Sequence, residues 1–335
     1  MIELEDDHLI FSFPDVHPEA RFSVGFQRTL RIPDDGEDYP LPPGLGRFPV
    51  RHVDDVRERL PPAWLRRGGV MLPMYRAEAM WLNFRSPAGY PFALKVAAGK
   101  INAVTGEDWD DGIHRGPQDY LVVPEQPWLD GYCVEKGVIR QFVAAPLGEG
   151  WTAEEQLTGR GEHGGLQLAA CPMRAERWEE LKQERMRRVE EGPAEMYSEA
   201  PASPDMGLAA GGRMRQEVHD DPHDLTDWDR RSRSRCFVHL ADAVVWRAVT
   251  GEAPPTTPPT AEQYTDAGLP WFDHYDADRG ALEGSDRLAR VKSLVEKARE
   301  EGRPSPLPEN ESVDPDRVVE LGDRRPEGAV REGRF

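Results

Sequence analysis

The stretch that decides the fold is FALKVAAGKINAVTG, residues 92–106. It opens with a short apolar run bounded by glycine, which is typical of a buried β-strand. Similar runs recur on both sides of it, and Gly or Pro punctuates them roughly every ten residues. They are VMLPMY (70–75), AEAMWLNF (77–84), DYLVVPEQ (119–126), VIRQFVAAPLG (138–148) and GGLQLAACPM (164–173). This spacing predicts an antiparallel sandwich or barrel-like sheet rather than alternating strands and helices.

The first 32 residues continue the strand pattern upstream. Apolar residues alternate with polar or small ones in LIFSF (9–13) and FSVGF (22–26), which predicts half-buried strands. Residues 33–49 are rich in Pro, Gly and acidic residues, and this composition predicts a loop.

Downstream of residue 172 the composition changes. MRAERWEELKQERMRRVEEG (173–192) predicts a charged surface helix. Residues 193–213 are rich in Pro, Ala, Ser and Gly and predict a linker or long loop. CFVHLADAVVWRAV (236–249) predicts a short strand followed by a helix, and an amphipathic pattern predicts one helix over 285–301.

Together these patterns predict an α+β protein. We expect an antiparallel, β-rich core at 1–172, a helical and loop-rich extension docked on it at 173–305, and a weakly ordered tail at 306–335.

The formal net charge is −19 over 335 residues. Such a surplus repels phosphate groups, so we expect neither nucleic acid nor a membrane as a partner. The basic run RRSRSR (230–235) follows several aspartates, which predicts mutual neutralisation. No window is apolar enough for a membrane-spanning helix, and the N-terminus lacks a signal-peptide pattern. Three cysteines without a CxxC pair predict free thiols and a cytoplasmic location.

The first candidate site lies in VIRQFVAAPLGEGWTAEEQLTGRGEHGGLQ, residues 138–167. Its Arg and Gln side chains could hold a carboxylate or amide ligand beside Gly-rich turns. The candidates are Arg140, Gln141, Gln156 and Gln167. The competing interpretation is that the glycines only shape hairpins. Glu154 and Glu155 are adjacent and diverge on any regular element, so we interpret them as surface charge.

A second candidate is EVHDDPHDLTDWD, residues 217–229. His219 and His223 are four residues apart, but Pro222 excludes the helix on which two such histidines would share a face. A loop-borne divalent-metal site of His219, Asp221 and His223 is one hypothesis. The other is a solvated acidic turn.

A third candidate is GLPWFDHYDAD, residues 268–278. Its aromatic residues could anchor this segment on the core. In the alternative, Trp271 and Asp273 contribute to a ligand groove or a protein interface.

Three stretches resemble an uncharacterised family of bacteria and fungi. They are IRQFVAAPLGEGWTAEEQLTG with GGLQL, GLAAGGRMRQEVHDDPHDLTDWD, and TGEAPPTTPPTAEQYTDAGLPWFDHYDAD. The resemblance covers most of the chain from residue 70 onward. It implies a shared fold with the C-terminal half docked on the β-rich part, and it implies no activity, ligand or catalytic residue. Some members are labelled membrane proteins, which the composition here contradicts.

The sequence contains no phosphate-binding loop, nucleophile elbow or zinc-finger spacing. The leading prediction is therefore a non-catalytic binding or scaffold protein of the cytosol, with a protein partner or self-association. Whether the chain is an enzyme stays open. One alternative is a metal-dependent hydrolase using His219 and His223, with Arg140 holding an anionic substrate. Another is a small-molecule binder with a pocket in the β core. No cofactor is predicted apart from the divalent metal of the hydrolase alternative.

Overall fold

The computed structural model describes residues 1–188, 204–274, 280–304 and 312–320. Within these residues, one 17-stranded sheet and one two-stranded sheet are present. The strands are β1 (Ile2–Glu5), β2 (His8–Ser12), β3 (Arg21–Thr29), β4 (Asp38–Tyr39), β5 (Gly44–Arg47), β6 (Arg51–His52), β7 (Val70–Met74), β8 (Ala79–Arg85), β9 (Phe92–Ala98), β10 (Ile101–Asn102), β11 (Leu121–Val123), β12 (Trp128–Leu129), β13 (Gly131–Glu135), β14 (Val138–Pro146), β15 (Leu166–Pro172), β16 (Pro204–Arg215), β17 (Ser234–Asp242), β18 (Trp271–Asp273) and β19 (Val318–Glu320).

The helices are short and lie between or after the strands. They are α1 (Pro62–Arg67), α2 (Ala153–Thr158), α3 (Ala175–Arg188), α4 (Ala243–Thr250), α5 (Ala261–Asp266), α6 (Asp286–Ala289) and α7 (Leu294–Glu300), with 3₁₀ turns at Val53–Arg59 and Leu225–Asp227. Among the helices in the described ranges, none has the length and hydropathy needed to cross a bilayer.

The large sheet is mainly antiparallel and curls round one apolar core. Its central path runs β2, β3, β8, β14, β16, β17, β15, β9, and every one of these pairings is antiparallel. Phe22 of β3 packs on Phe92 of β9 with ring centroids 4.5 Å apart, although these strands are far apart in that path. The sheet therefore bends back on itself. The predicted β-rich α+β fold with an antiparallel sheet is confirmed, and the described strands form an open, curled sheet.

Two strands in the middle of this sheet come from the segment that we predicted as a helical, loop-rich extension. β16 pairs with β14 along most of its length, and β17 pairs with β15 and, in parallel, with β7. The predicted loop at 193–213 is wrong from residue 204 onward, and 193–203 lie outside the described residues. The linker-like composition has a packing reason. A Cβ atom at Gly212 would collide with the Pro33 carbonyl, so only glycine lets these backbones approach.

Several local predictions are confirmed. The strand and helix expected at 236–249 are β17 and α4, and the Asp242 side chain caps α4 by accepting a hydrogen bond from the Val244 amide at 2.9 Å.

The predicted single helix at 285–301 is instead α6 and α7, because Ser293 starts a new helix with a capping box to Glu296. Of the predicted tail, 312–320 are described, and β19 pairs with β18.

Candidate functional site

Two of the side chains that we predicted to bind a ligand form hydrogen bonds to backbone groups of the protein instead. The Gln141 side chain is fully buried; its amide donates to the Leu30 carbonyl at 2.8 Å and accepts from the Ile32 amide at 3.1 Å. The Gln167 side chain accepts from the Lys100 amide at 2.5 Å and donates to the Gly164 carbonyl at 2.9 Å. Both glutamines therefore tie strands to neighbouring loops.

The other two candidates of this group hold the C-terminal helices. Arg140 donates to Glu296 of α7 at 2.6 Å. Gln156 accepts from the Lys292 amide and donates to the Lys292 carbonyl, both at 2.8 Å. These contacts dock the segment around α7 on the core.

The adjacent glutamates are not surface charge, which corrects our interpretation. Glu154 and Glu155 are 2% and 8% exposed. Glu154 accepts hydrogen bonds from the backbone amides of 162, 163 and 164 at 2.7–2.8 Å. Glu155 accepts from the amides of Gly148 and Gly150 at 2.7 and 3.0 Å, and also from Thr152. Each carboxylate therefore accepts hydrogen bonds from the backbone N–H groups of one Gly-rich loop. Because these hydrogen bonds stabilise the buried charge, neither side chain needs a cationic partner.

The predicted metal ligands also have other partners. Asp221 is 4% exposed, and its carboxylate accepts hydrogen bonds from the Tyr120 hydroxyl, the Trp228 indole and the His223 amide. Burial lowers the pKa of His223. Hydrogen bonds from three donors therefore reach both carboxylate oxygens of Asp221.

A cluster that the sequence reading missed does have metal-like spacing. Ligand atoms of Asp110, His114 and Asp119 lie within 4.8 Å of one another. However, the Lys95 ammonium is 2.7 Å from Asp119 Oδ2 and 3.3 Å from Asp110 Oδ1. Lys95 therefore already supplies the cation, and we assign no metal there. The neighbouring Asp111 pairs with Arg235 at 2.6 Å, so this arginine of RRSRSR has a partner outside the aspartates from which we predicted its neutralisation.

Of the predicted site residues, His219 lines a small surface cleft with a cavity volume of about 20 Å³. Its lining comes from four places in the chain: Gln126, Pro127 and Trp128; Arg215, Gln216, Glu217 and His219; Leu41; and His274. The Trp128 and His274 rings meet edge to face, 5.0 Å apart. Predicted Asp273 lies at its edge and pairs with Arg215 at 3.1 Å. Predicted Trp271 is fully buried beneath this segment and donates to Thr265 at 3.2 Å, so it anchors β18.

Buried amide side chains fix the cleft from behind. Gln126 donates to the Trp128 and Glu217 carbonyls at 3.1 and 3.2 Å, and accepts from the His219 amide at 3.0 Å. Gln216 donates to the Asp130 carboxyl at 2.7 Å and accepts from its amide at 3.0 Å. The two glutamines thus link two of the chain segments that carry the lining, 126–130 and 215–219.

Asp130 is buried and hydrogen-bonded to Gln216 and Trp128, two residues that line the cleft. Burial raises its pKa to about 7, and hydrogen bonds from Gln216 and Trp128 only partly offset that effect. The indole N–H of Trp128 therefore donates to the buried Asp130 carboxyl, while the ring of Trp128 lines the cleft.

The three cysteines are free and buried. Burial raises the pKa of Cys133 and Cys236 to about 12 and that of Cys171 to about 11, so none is a reactive thiolate near neutral pH.

The sequence patterns predicted His219 and Asp273 as site residues in two separate segments. Trp128, Gln126 and Gln216 lie in no recognisable motif and were not predicted. Only the curl of the sheet places these segments side by side. Compared with known protein families, with curated proteins and with solved structures, the chain matches none.

Proposed function

We propose that this chain is a binding protein whose ligand site is the cleft between Trp128, Arg215, His219 and His274. One observation carries the proposal: Gln126 and Gln216 join the segments 126–130 and 215–219, which supply most of the lining, by buried hydrogen bonds. Such support from behind is what a preorganised site needs, because it removes the entropy cost of ordering the lining on binding.

The lining favours a small, planar ligand that carries a carboxylate. Trp128 offers an aromatic ring for stacking. The Arg215 side chain is 49% exposed. A guanidinium has five N–H donors, so it can bind a ligand carboxylate while keeping its contact with Asp273. The cavity volume is only about 20 Å³, so the cleft can enclose no more than one edge or group of such a ligand.

The proposal keeps the binding role predicted from the sequence and places the site at the sheet edge. The hydrolase alternative relied on a metal held by His219, Asp221 and His223. The hydrogen bonds to Asp221 give that alternative no support. A cytosolic location stays a prediction.

A protein partner is the second candidate function. Leu269, Val318 and Val319 are 46%, 44% and 38% exposed on or beside the small sheet of β18 and β19. Apolar side chains exposed on a short sheet are typical of a docking surface. Crosslinking of purified protein at increasing concentration tests self-association, and Val319→Asp should abolish any dimer detected.

The experiment for the cleft is a ligand-observed NMR screen of aromatic carboxylates and their matched primary amides. We expect carboxylates to bind and the amides to bind at least about tenfold more weakly, as loss of one charged hydrogen bond predicts. Arg215→Gln should weaken carboxylate binding to the level of the amides. Arg57→Gln is the matched control, because Arg57 is also exposed but lies on the distant 3₁₀ turn. Binding unchanged in Arg215→Gln, or no binding of any carboxylate, would refute the proposal.

A further inference from the structure

The cluster around Asp119 lies outside the cleft and has a geometry of its own. Asp119 Oδ2 is 2.8 Å from His114 Nδ1 and 2.7 Å from the Lys95 ammonium. The second oxygen of Asp119 accepts the His114 backbone amide at 2.7 Å. One carboxylate therefore fixes both the ring and the backbone of His114.

This arrangement determines which ring nitrogen carries the proton. Lys95 is 2% exposed, so its charge has to be balanced, and Asp119 beside it is the buried carboxylate that does so. An ionised carboxylate only accepts hydrogen bonds, so His114 must donate from Nδ1. In the neutral ring the lone pair is then on Nε2. The His114 side chain is 54% exposed, so this lone pair is accessible to solvent.

Hydrogen bonds from Asn102 and Lys95 also hold the backbone of the loop that contains His114. Asn102 donates to the Asp119 carbonyl at 2.7 Å, and Lys95 donates to the Gly112 carbonyl at 2.8 Å. A Cβ atom at Gly112 would lie 3.1 Å from Cε1 and 3.3 Å from Nε2 of His114. Glycine at this position leaves room beside the Nε2 edge of the ring.

We propose that His114 is a nucleophilic histidine, positioned by Asp119 and Lys95, that accepts an acyl group at Nε2 from an uncharged activated acyl compound. A nucleophile oriented by an acidic partner through its other nitrogen is the general logic of such sites. Nε2 attacks the acyl carbon and forms an N–C bond. The bond from that carbon to the leaving oxygen breaks, and its electron pair goes to that oxygen. The Nδ1 proton moves along its hydrogen bond to Asp119, so the acylated ring stays neutral and accepts from the resulting carboxylic acid, and solvent water delivers a proton to the leaving oxygen.

The local charge favours an acyl over a phosphoryl donor. Asp110 Oδ2 is 3.6 Å from His114 Nδ1, and Asp110 is 54% exposed. Lys95 is the cation closest to this carboxylate, but it is buried and shared with Asp119. An approaching phosphoryl dianion would meet the negative charge of Asp110, whereas a neutral carbonyl compound would not.

The test is site-resolved labelling of the full chain with diethyl pyrocarbonate near neutral pH, followed by peptide mass spectrometry. His52 is an internal reference, because it is exposed and its side chain makes no cap hydrogen bond. We expect His114 to be acylated at least about tenfold faster than His52, a threshold set below the roughly 10²-fold that a positioned base contributes at the low end. A parallel sample with phosphoramidate should label His114 no faster than His52.

The variants separate positioning from mere exposure. In Asp119→Asn the His114 rate should fall to that of His52, while Asp110→Asn should leave the ratio of the two rates unchanged. Because Asp119→Asn leaves Lys95 unbalanced, the double variant Lys95→Met with Asp119→Asn is measured as well, and circular dichroism confirms its fold. Equal rates at His114 and His52 in the wild type, or a ratio that survives both Asp119 variants, would overturn the proposal. Faster labelling by phosphoramidate than by the pyrocarbonate would overturn the acyl assignment.

Discussion

Arg28 and Glu78 form an ion pair that is almost completely removed from solvent. Arg28 Nε donates to Glu78 Oε1 at 2.5 Å, and the two side chains are 4% and 0% exposed. Arg28 also donates to the Thr256 carbonyl at 2.8 Å, and Glu78 accepts from the Tyr75 amide at 2.8 Å. The pair therefore links β3, β8 and the proline-rich segment after α4.

Removing one partner of this ion pair should lower the free energy of unfolding more than removing both partners. Arg28→Met leaves a buried carboxylate without its cation, and we expect a loss of about 3–5 kcal/mol in the free energy of unfolding. The double variant Arg28→Met with Glu78→Leu removes both charges and should recover at least about half of that loss. Urea denaturation of the wild type, both single variants and the double variant gives the coupling energy. A double variant as unstable as the sum of the single ones would contradict the prediction.

His239 should make the protein sensitive to acid. It lies between Trp64 and Phe237, with ring centroids 4.3 and 4.4 Å apart, and burial lowers its pKa from 6.5 to about 3. The unfolded chain therefore binds a proton below pH 6.5 while the folded chain does not. Stability falls as the pH drops from 6.5 to about 3, by on the order of 4 kcal/mol. His239→Gln should remove this slope, whereas His52→Gln, at an exposed position, should not.

Asp130 should change the stability of the protein in the opposite direction over nearly the same pH range. Its pKa is raised from 3.8 to about 7, so the folded state keeps a proton that the unfolded state has lost. Stability is then lost as the pH rises from 3.8 to about 7. Asp130→Asn should be more stable than the wild type at pH values above 7, and guanidinium denaturation across the range measures it. An Asp130→Asn variant that shows no gain at any pH would contradict this assignment.

The two effects partly cancel in the wild type. We expect the wild-type stability profile between pH 4 and pH 6.5 to be flatter than that of either single variant, because the His239 and Asp130 contributions have opposite slopes. The His239→Gln variant should lose stability toward neutral pH, and the Asp130→Asn variant should lose it toward acid. If both variants have the same slope, at least one of the two protonation assignments is wrong.

The buried glutamates of α2 should be intolerant of an isosteric change. In Glu154→Gln an amide NH₂ replaces an oxygen that now accepts backbone N–H groups, so one or more donors lose their partner. We expect a loss of about 2–4 kcal/mol. Amide hydrogen exchange at 162–164 should accelerate, while exchange at Gly148 and Gly150 should not, because Glu155 holds those amides. Glu58→Gln, at an exposed position, is the control and should change stability little.

Local signals in the sequence were sufficient for much of the fold. Alternation predicted β2 and β3, apolar runs predicted β7 to β9, and the pattern at 236–249 predicted β17 followed by α4. Each of these depends on residues close together in the chain. In contrast, β16 has the composition of a linker, and its strand role depends on how closely Pro33 and β14 approach it. That approach is a property of the folded sheet.

The same distinction applies to the sites. Glu154 and Glu155 looked like surface charge because their partners are backbone amides, which no side-chain motif reveals. The signal for the Asp119 cluster was present, since Lys95 interrupts the apolar run FALKVAAG and a lysine inside a buried strand needs acidic partners. Which acids they are could not be read from the sequence, because Asp110 and Asp119 belong to a loop without regular spacing.

The position of β16 and β17 in the sheet has a consequence for biosynthesis. β14 and β15 are translated well before the strands that cover them, so a nascent chain ending near residue 172 exposes their edges as unpaired hydrogen-bonding groups. The sheet can be completed only after the ribosome has passed residue 242. Closure of the sheet is therefore expected to be late and slow, and until then the exposed strand edges of the emerging chain favour aggregation.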